Sequence, residues 1–295
     1  MRRAAGWAAL VVVVAATQAS AGHMPYLEPK TFGPRRDVVT VEAAMAEEAT
    51  LFLPDFTIRG SGDYAVTDPS GATKKIEGVT TLKELAIFEA STPTEGTYRI
   101  TSGERAGRSG KLAKIDGIWR NVRPAGGPPR PPEGGAPPAK PPEGAAPPSN
   151  GPIAEEQIPA GAEVMTTQAY LKADVYVSRG APTATALKPT GQGLEIVPVT
   201  HPNEAFAGEA FKFRLLVDGQ PLANAPFTVS KAREGYEPQR FTTGGAAGAD
   251  GAASITLAKP GVYVIQVQNP VRVEGQPPVP ASKALTTTLT FEVTR

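Results

Sequence analysis

The chain has 295 residues, of which 40% are hydrophobic and 20% charged, and its formal net charge is +1. That length suits two ordinary domains with enough apolar material for cores. The near-neutral balance, with no Lys/Arg block, excludes an electrostatically held nucleic-acid partner. With no Cys at all, disulfides, cysteine-based zinc sites, iron–sulfur clusters and thiol catalysis are excluded together. The 31 Gly and 31 Pro exceed the usual combined share of about 12%, so part of the chain must be turn-rich or disordered.

The first 22 residues read as a secretory signal peptide. Arg2 and Arg3 precede an apolar run, Ala4 to Ala16, and small residues follow from Thr17 to Gly22, which is the three-part pattern of an export signal. The run is shorter than the roughly 20 residues that cross a hydrocarbon core, so the pattern predicts cleavage, a periplasmic location and no membrane span in the mature chain. Cleavage after Ala21 satisfies the small-residue rule through Ala19 and Ala21 and leaves Gly22 first; cleavage after Gly22 leaves His23 first. Either event puts His23 at the extreme N-terminus.

Beyond this leader, β-branched and apolar runs recur between turn signals. Val38-Val39-Thr40-Val41-Glu42-Ala43 reads as a strand, and Leu51-Phe52-Leu53 is a further apolar run closed by Pro54. Glu42 to Glu48 has the alanines for one helical turn. Tyr64–Thr67, Leu85–Ala90 and Gly96–Ile100 are short runs bounded by Asp68-Pro69-Ser70-Gly71 and Pro93. Strands at this spacing predict an all-β sandwich. Between Gly126 and Pro152 lie eleven prolines in an approximate ten-residue repeat. Such a stretch neither pairs as a sheet nor buries a core. Residues 124–162 therefore read as a disordered, partly polyproline-II insertion, with a docking ligand for an aromatic groove as the functional alternative.

Next comes a long alternation, with Thr167, Ala169, Leu171, Ala173, Val175 and Val177 on one face and Gln168, Tyr170, Lys172, Asp174, Tyr176 and Ser178 on the other. It predicts one half-buried strand. Further strands are expected at Leu194–Val199, Ala210–Val217, Phe227–Ser230, Ala253–Leu257, Val262–Val267 and Thr286–Val293. Asp218-Gly219 provides a two-residue hairpin turn between Val217 and Pro221. No helix of normal length is expected.

Two phrases, Gly193-Leu194-Glu195-Ile196-Val197-Pro198-Val199-Thr200-His201-Pro202-Asn203 and Phe213 to Leu222, resemble the second half of a secreted bacterial family called domain of unknown function 4198. His23 with Pro25-Tyr26-Leu27 and Pro29, then Val39 to Ala44 and Phe52-Leu53-Pro54-Asp55, are similar to its opening. Members are commonly described as periplasmic components of nickel or cobalt uptake. The resemblance implies two β-sandwich modules, at 23–186 and 187–295, the second of transthyretin or carboxypeptidase-regulatory type, with the Pro-rich stretch inserted in the first. It also implies an envelope transporter or outer-membrane receptor as partner, and it brings no established enzymatic activity.

His23 is the leading candidate metal ligand. A terminal amine and the imidazole of a first-position His chelate through two nitrogens, and with Gly22 retained the intervening amide nitrogen joins them; nitrogen-rich planar sites suit Cu(II) or Ni(II). Met24 adds a thioether suited to Cu(I), against which stands an ordinary core Met. His201 could complete a site with His23 across the modules or serve as a loop residue, and Asp55 could supply a carboxylate or belong to turn chemistry. The expected ligand is thus a divalent transition metal (nickel, cobalt or copper) held by His23, His201 and Asp55. Catalysis finds no support in motifs. There is no Gly-x-Ser-x-Gly elbow, Gly60-Ser61-Gly62 and Gly244-Gly245 read as loop glycines, and the carboxylate pairs Glu47-Glu48 and Glu155-Glu156 read as solvated. Trp119 and Tyr236 are assigned to core or turn packing, with ligand contact as the alternative.

Overall fold

The computed structural model describes residues 23–47, 51–58, 60–123, 151–232, 241–273 and 276–295. Residues 1–22, read above as a leader, Glu48, Tyr236 and residues 124–150 of the Pro-rich stretch lie outside them. The alternation near the start builds β1 (His23–Pro29) and β2 (Val38–Glu47), antiparallel along their length with His23 opposite Glu47. After β3 (Ala65–Thr67), β4 (Thr73–Lys75) and β5 (Thr80–Thr81) come β6 (Leu85–Ser91) and β7 (Gly96–Thr101). Strands β1, β2, β6 and β5 form one four-stranded sheet in that order. Then β8 (Arg105–Ile115) and β9 (Ile118–Arg123) make a hairpin over Asp116-Gly117, both at positive φ. β10 (Ile153–Ala154) lies parallel to β9.

The spine of the molecule is β11 (Val164–Arg179). One of its edges pairs first with β8 and then with β7. After β12 (Leu194–Pro198), β13 (Ala205–Phe206), β14 (Ala210–Val217), β15 (Gln220–Pro221), β16 (Pro226–Lys231), β17 (Thr242–Ala246), β18 (Ala252–Thr256) and β19 (Gly261–Asn269), the chain ends in β20 (Lys283–Thr294). β20 pairs in parallel with the other edge of β11, Gln168 to Val175 against Lys283 to Thr290. One large sheet therefore runs on through β19, β16 and β17, and β12, β14, β15 and β18 form the sheet that faces this half.

Two cores follow from the two pairs of sheets. Leu27, Val41, Met45 and Phe88 meet Tyr98, Ile100, Val175 and Val177 in the first. Leu194, Phe211, Phe213 and Leu215 meet Val229, Tyr263, Ile265, Leu289 and Phe291 in the second. A third, smaller cluster joins the halves: Met24, Tyr26, Ala44, Ala46 and Leu51 pack with Val264. The architecture is the expected all-β double sandwich, and the described residues contain no α-helix, only 3-10 turns at Glu155–Gln157 and Thr185–Leu187. Asp218 and Gly219 form the expected hairpin turn with φ of 48° and 75°.

Several local expectations are corrected. β11 is not half-buried over its second half, because Lys172, Asp174, Tyr176 and Ser178 are buried like Val175 and Val177. The face expected to meet solvent meets the second sandwich, and Tyr176 belongs to its core. Glu42 to Glu47 is strand, since pairing to both β1 and β6 outweighs the helix propensity of its alanines. Leu51-Phe52-Leu53, read only as an apolar run, forms a turn with Phe52 at φ 68°. Gly244 and Gly245 belong to β17, where a Cβ on Gly244 would stand 2.4 Å from the Phe227 carbonyl oxygen. Residues 151–162 are ordered although they fall in the stretch read as disordered. Ile153 is buried, and the Ala154 N–H donates to Gln157 Oε1 at 2.8 Å.

Candidate functional site

His23 is the first residue of β1, and its imidazole is held from two directions. Its Nε2 stands 3.3 Å from Asp55 Oδ2, with both side chains about one-third exposed. The Phe56 ring lies 4.8 Å away, tilted by 41°. The segment after β2 places both partners by doubling back on that strand: the Met45 N–H donates to the Phe56 carbonyl at 2.8 Å and the Asp55 N–H to the Met45 carbonyl at 3.0 Å. The Glu47 N–H donates to Asp55 Oδ2 at 3.2 Å, which fixes the carboxylate. A proton on Nε2 faces that carboxylate, so the neutral imidazole keeps its lone pair on Nδ1. Ligating histidines are oriented in this way, one ring nitrogen on a carboxylate and the other on the metal. Met24 is a core residue in the cluster between the halves, not an exposed thioether.

His201 has different surroundings. Its Nδ1 accepts the Asn203 N–H at 3.1 Å, which puts the ring proton on Nε2. Nε2 is 2.9 Å from Thr97 Oγ1 and 3.3 Å from the Thr183 carbonyl oxygen. Thr97 Oγ1 also meets Ser178 Oγ at 2.8 Å, and Ser178 Oγ donates to Asn203 Oδ1 at 2.7 Å. The Thr97–His201 distance is that of a nucleophile and its base, yet the hydroxyl is fully buried and the facing nitrogen already carries the proton, so this pair cannot deprotonate it. Burial lowers the His201 pKa, with the Thr183 carbonyl and Glu204 opposing. His23 and His201 thus sit in separate networks. Among the described residues no group of three or more His, Asp or Glu side chains could hold a metal.

A set of residues not singled out from the sequence lies on β7, β11 and β12. Arg99 on β7 donates to Asp174 Oδ2 on β11 at 2.7 Å, and its other terminal nitrogen stands 3.7 Å from Glu195 Oε1 on β12. Lys172 completes the group at 4.0 Å from Asp174. Glu195 is otherwise satisfied by the Thr190 N–H and hydroxyl and the Gly191 N–H, at 2.8–2.9 Å. Burial alone would raise the Asp174 pKa, but Arg99 and Lys172 hold it below the ordinary carboxylate value. The signal in the sequence was the placement of Lys172 and Asp174 in the long alternation and of Glu195 beside Leu194 and Ile196.

Trp119 lies under the Lys114 ammonium at 5.8 Å on the β8–β9 hairpin, and Glu155 pairs with Lys111. A depression bounded by Phe206, Glu209, Leu257 and Val293 holds about 10 Å³, room for about one water.

Fold and site together define an all-β, two-sandwich protein with a histidine–carboxylate pair at the start of its first strand. The chain belongs to the family described as Domain of unknown function (DUF4198), whose model matches residues 20–270. No curated relative matches it. Among solved structures it is similar to the D0-D1 domain of intimin, at 8% identity and TM-score 0.20, covering 90% of this chain and 96% of that one. It is also similar to a tetra-tandem repeat in the extending region of a large adhesion protein, at 9% identity and TM-score 0.21, covering 92% and 74%.

Proposed function

We propose that the protein is an exported, non-catalytic binding protein of the bacterial envelope that takes a divalent transition metal (nickel, cobalt or copper) at His23 and passes it to an envelope transporter or receptor. The observation that carries this reading is the His23–Asp55 pair. Once the leader is removed, the terminal amine and Nδ1 of His23 offer two nitrogens to one metal, while Asp55 orients the ring through Nε2. With no third side-chain ligand among the described residues, water or the receiving partner fills the remaining positions, which suits a carrier that must release its cargo. In this reading the sandwiches at 23–186 and 187–295 are the body that presents the site. Metal that binds only the folded state should raise stability by about 2.7 kcal/mol at 100 times the dissociation constant. The test is thermal unfolding with and without Ni(II), Co(II) or Cu(II). Stabilisation is expected for the mature chain and not for His23→Ala, and equal stabilisation of both would overturn the assignment.

A second reading, a non-catalytic structural, adhesion or protein-interaction module of the cell envelope, is favoured by the buried joint between the halves. There Arg99, Asp174 and Glu195 span β7, β11 and β12. Absence of a shift with all three metals selects it.

A further inference from the structure

Phe52 is an aromatic residue at φ 68°, a left-handed backbone that bulky side chains adopt only where the surroundings over-determine it. Strain of this kind concentrates at functional sites, and here it falls three residues before Asp55, in the segment that carries the carboxylate to His23. The packing shows what the strain secures. The Phe52 ring lies 4.9 Å from the Tyr26 ring, tilted by 45°, and it packs on the cluster that contains Met24, Tyr26, Leu51 and Val264. Phe56, four residues later, packs instead against the first core beside Met45. Met24 and Tyr26 alternate with His23 and Pro25 along β1 and point to the opposite side. The chain from Phe52 to Phe56 therefore passes around the end of the β1–β2 pair, with an aromatic anchor on each face. Asp55 lies between those anchors, beside His23.

We propose that Phe52 is a positioning residue. Seated on Tyr26 at the cost of a strained backbone, it sets the approach of Asp55 to His23, and through Asp55 it selects which imidazole nitrogen carries the proton and which is left for metal. The affinity part of this inference rests on the metal-binding reading above, whereas the part that concerns the ring nitrogen stands without metal.

The experiment uses the mature chain with 15N-labelled histidine at about pH 8.5, above the ordinary imidazole range, and reads the ring nitrogens of His23 before and after addition of Ni(II). Phe52→Gly relieves the backbone and removes the ring; Phe52→Tyr keeps the ring. The wild type and Phe52→Tyr should show the Nε2–H form of His23. Phe52→Gly should show a mixture of the two forms and bind Ni(II) at least about tenfold more weakly, the loss usual when an orienting partner is removed. His201, held by Asn203 and Thr97 in the other network, reports in the same spectrum that each variant is folded. A folded Phe52→Gly with the wild-type form at His23, or Phe52→Tyr losing that form as Phe52→Gly does, would overturn the inference. A ring form that follows Phe52 in a chain that binds no Ni(II) would support the positioning role and sink the metal reading alone.

Discussion

Arg99 on β7 places its guanidinium against Glu195 of β12, between the two sandwiches. Its guanidinium sits at 8% side-chain exposure between Asp174 and Glu195, themselves at 2% and 1%. Removing one partner of such a pair leaves a buried charge uncompensated and costs about 3–5 kcal/mol, whereas replacing the pair by apolar groups of like size is often neutral. Arg99→Met should therefore destabilise by that amount in denaturant unfolding, and Arg99→Met/Asp174→Leu should recover most of it, because Glu195 keeps its bonds to Thr190 and Gly191. A double variant no more stable than the single one would show that Asp174 is not what Arg99 compensates. At this scale the sequence is legible only as far as naming a candidate by its position in the chain. His23 is picked out by counting from the segment read as a leader, but Asp55 reaches it only because the chain after β2 turns back on Met45, and no local pattern records that turn.

At the scale of elements, period 2 identifies strands well and says nothing about what covers each face. The first face of β11 reads correctly as core. The second reads as solvent because Lys172, Asp174 and Ser178 are polar, although each finds a partner under the second sandwich. Turns with fixed chemistry, such as Asp218-Gly219, are legible for the opposite reason, since their backbone requirement is local. Gly96 opens β7 at φ 124°, and a Cβ there would stand 2.7 Å from Pro69 and 2.9 Å from Thr183 Oγ1. Gly96→Ala should cost about 1–3 kcal/mol, the range for a non-glycine residue held in disallowed backbone. It should also weaken the exchange protection of the neighbouring Thr97 amide, which donates to Thr183 Oγ1 at 2.9 Å; unchanged stability would mean that the β6–β7 turn shifts freely.

At the scale of the whole molecule, His201 and Asp174 make stability depend on pH. His201 binds its proton less readily in the folded chain than in the unfolded one, because burial disfavours the charged ring. The unfolded state then holds more protons in the window below about 6.5. Its contribution to stability is complete above that pH and is lost as pH falls toward the lowered folded value. Asp174 acts lower on the scale, its contribution present above the ordinary carboxylate value and lost as pH falls through its own depressed one. Melting temperature should therefore decline between pH 7 and pH 5, and His201→Asn should flatten that decline. An equal decline in the variant would place the sensitivity elsewhere.

The double sandwich was legible because alternation and turn residues recur along the chain, and the parallel β11–β20 pair was not, since it joins segments more than a hundred residues apart. We propose above that His23 holds a metal. It is tested most directly by calorimetric titration of the purified protein, after its intact mass has fixed the first residue, with Ni(II) and Cu(II). We predict one-to-one binding that His23→Ala abolishes and Asp55→Asn weakens by about 10–100-fold. No heat of binding from a chain shown to begin at Gly22 or His23, or binding indifferent to His23→Ala, would contradict it.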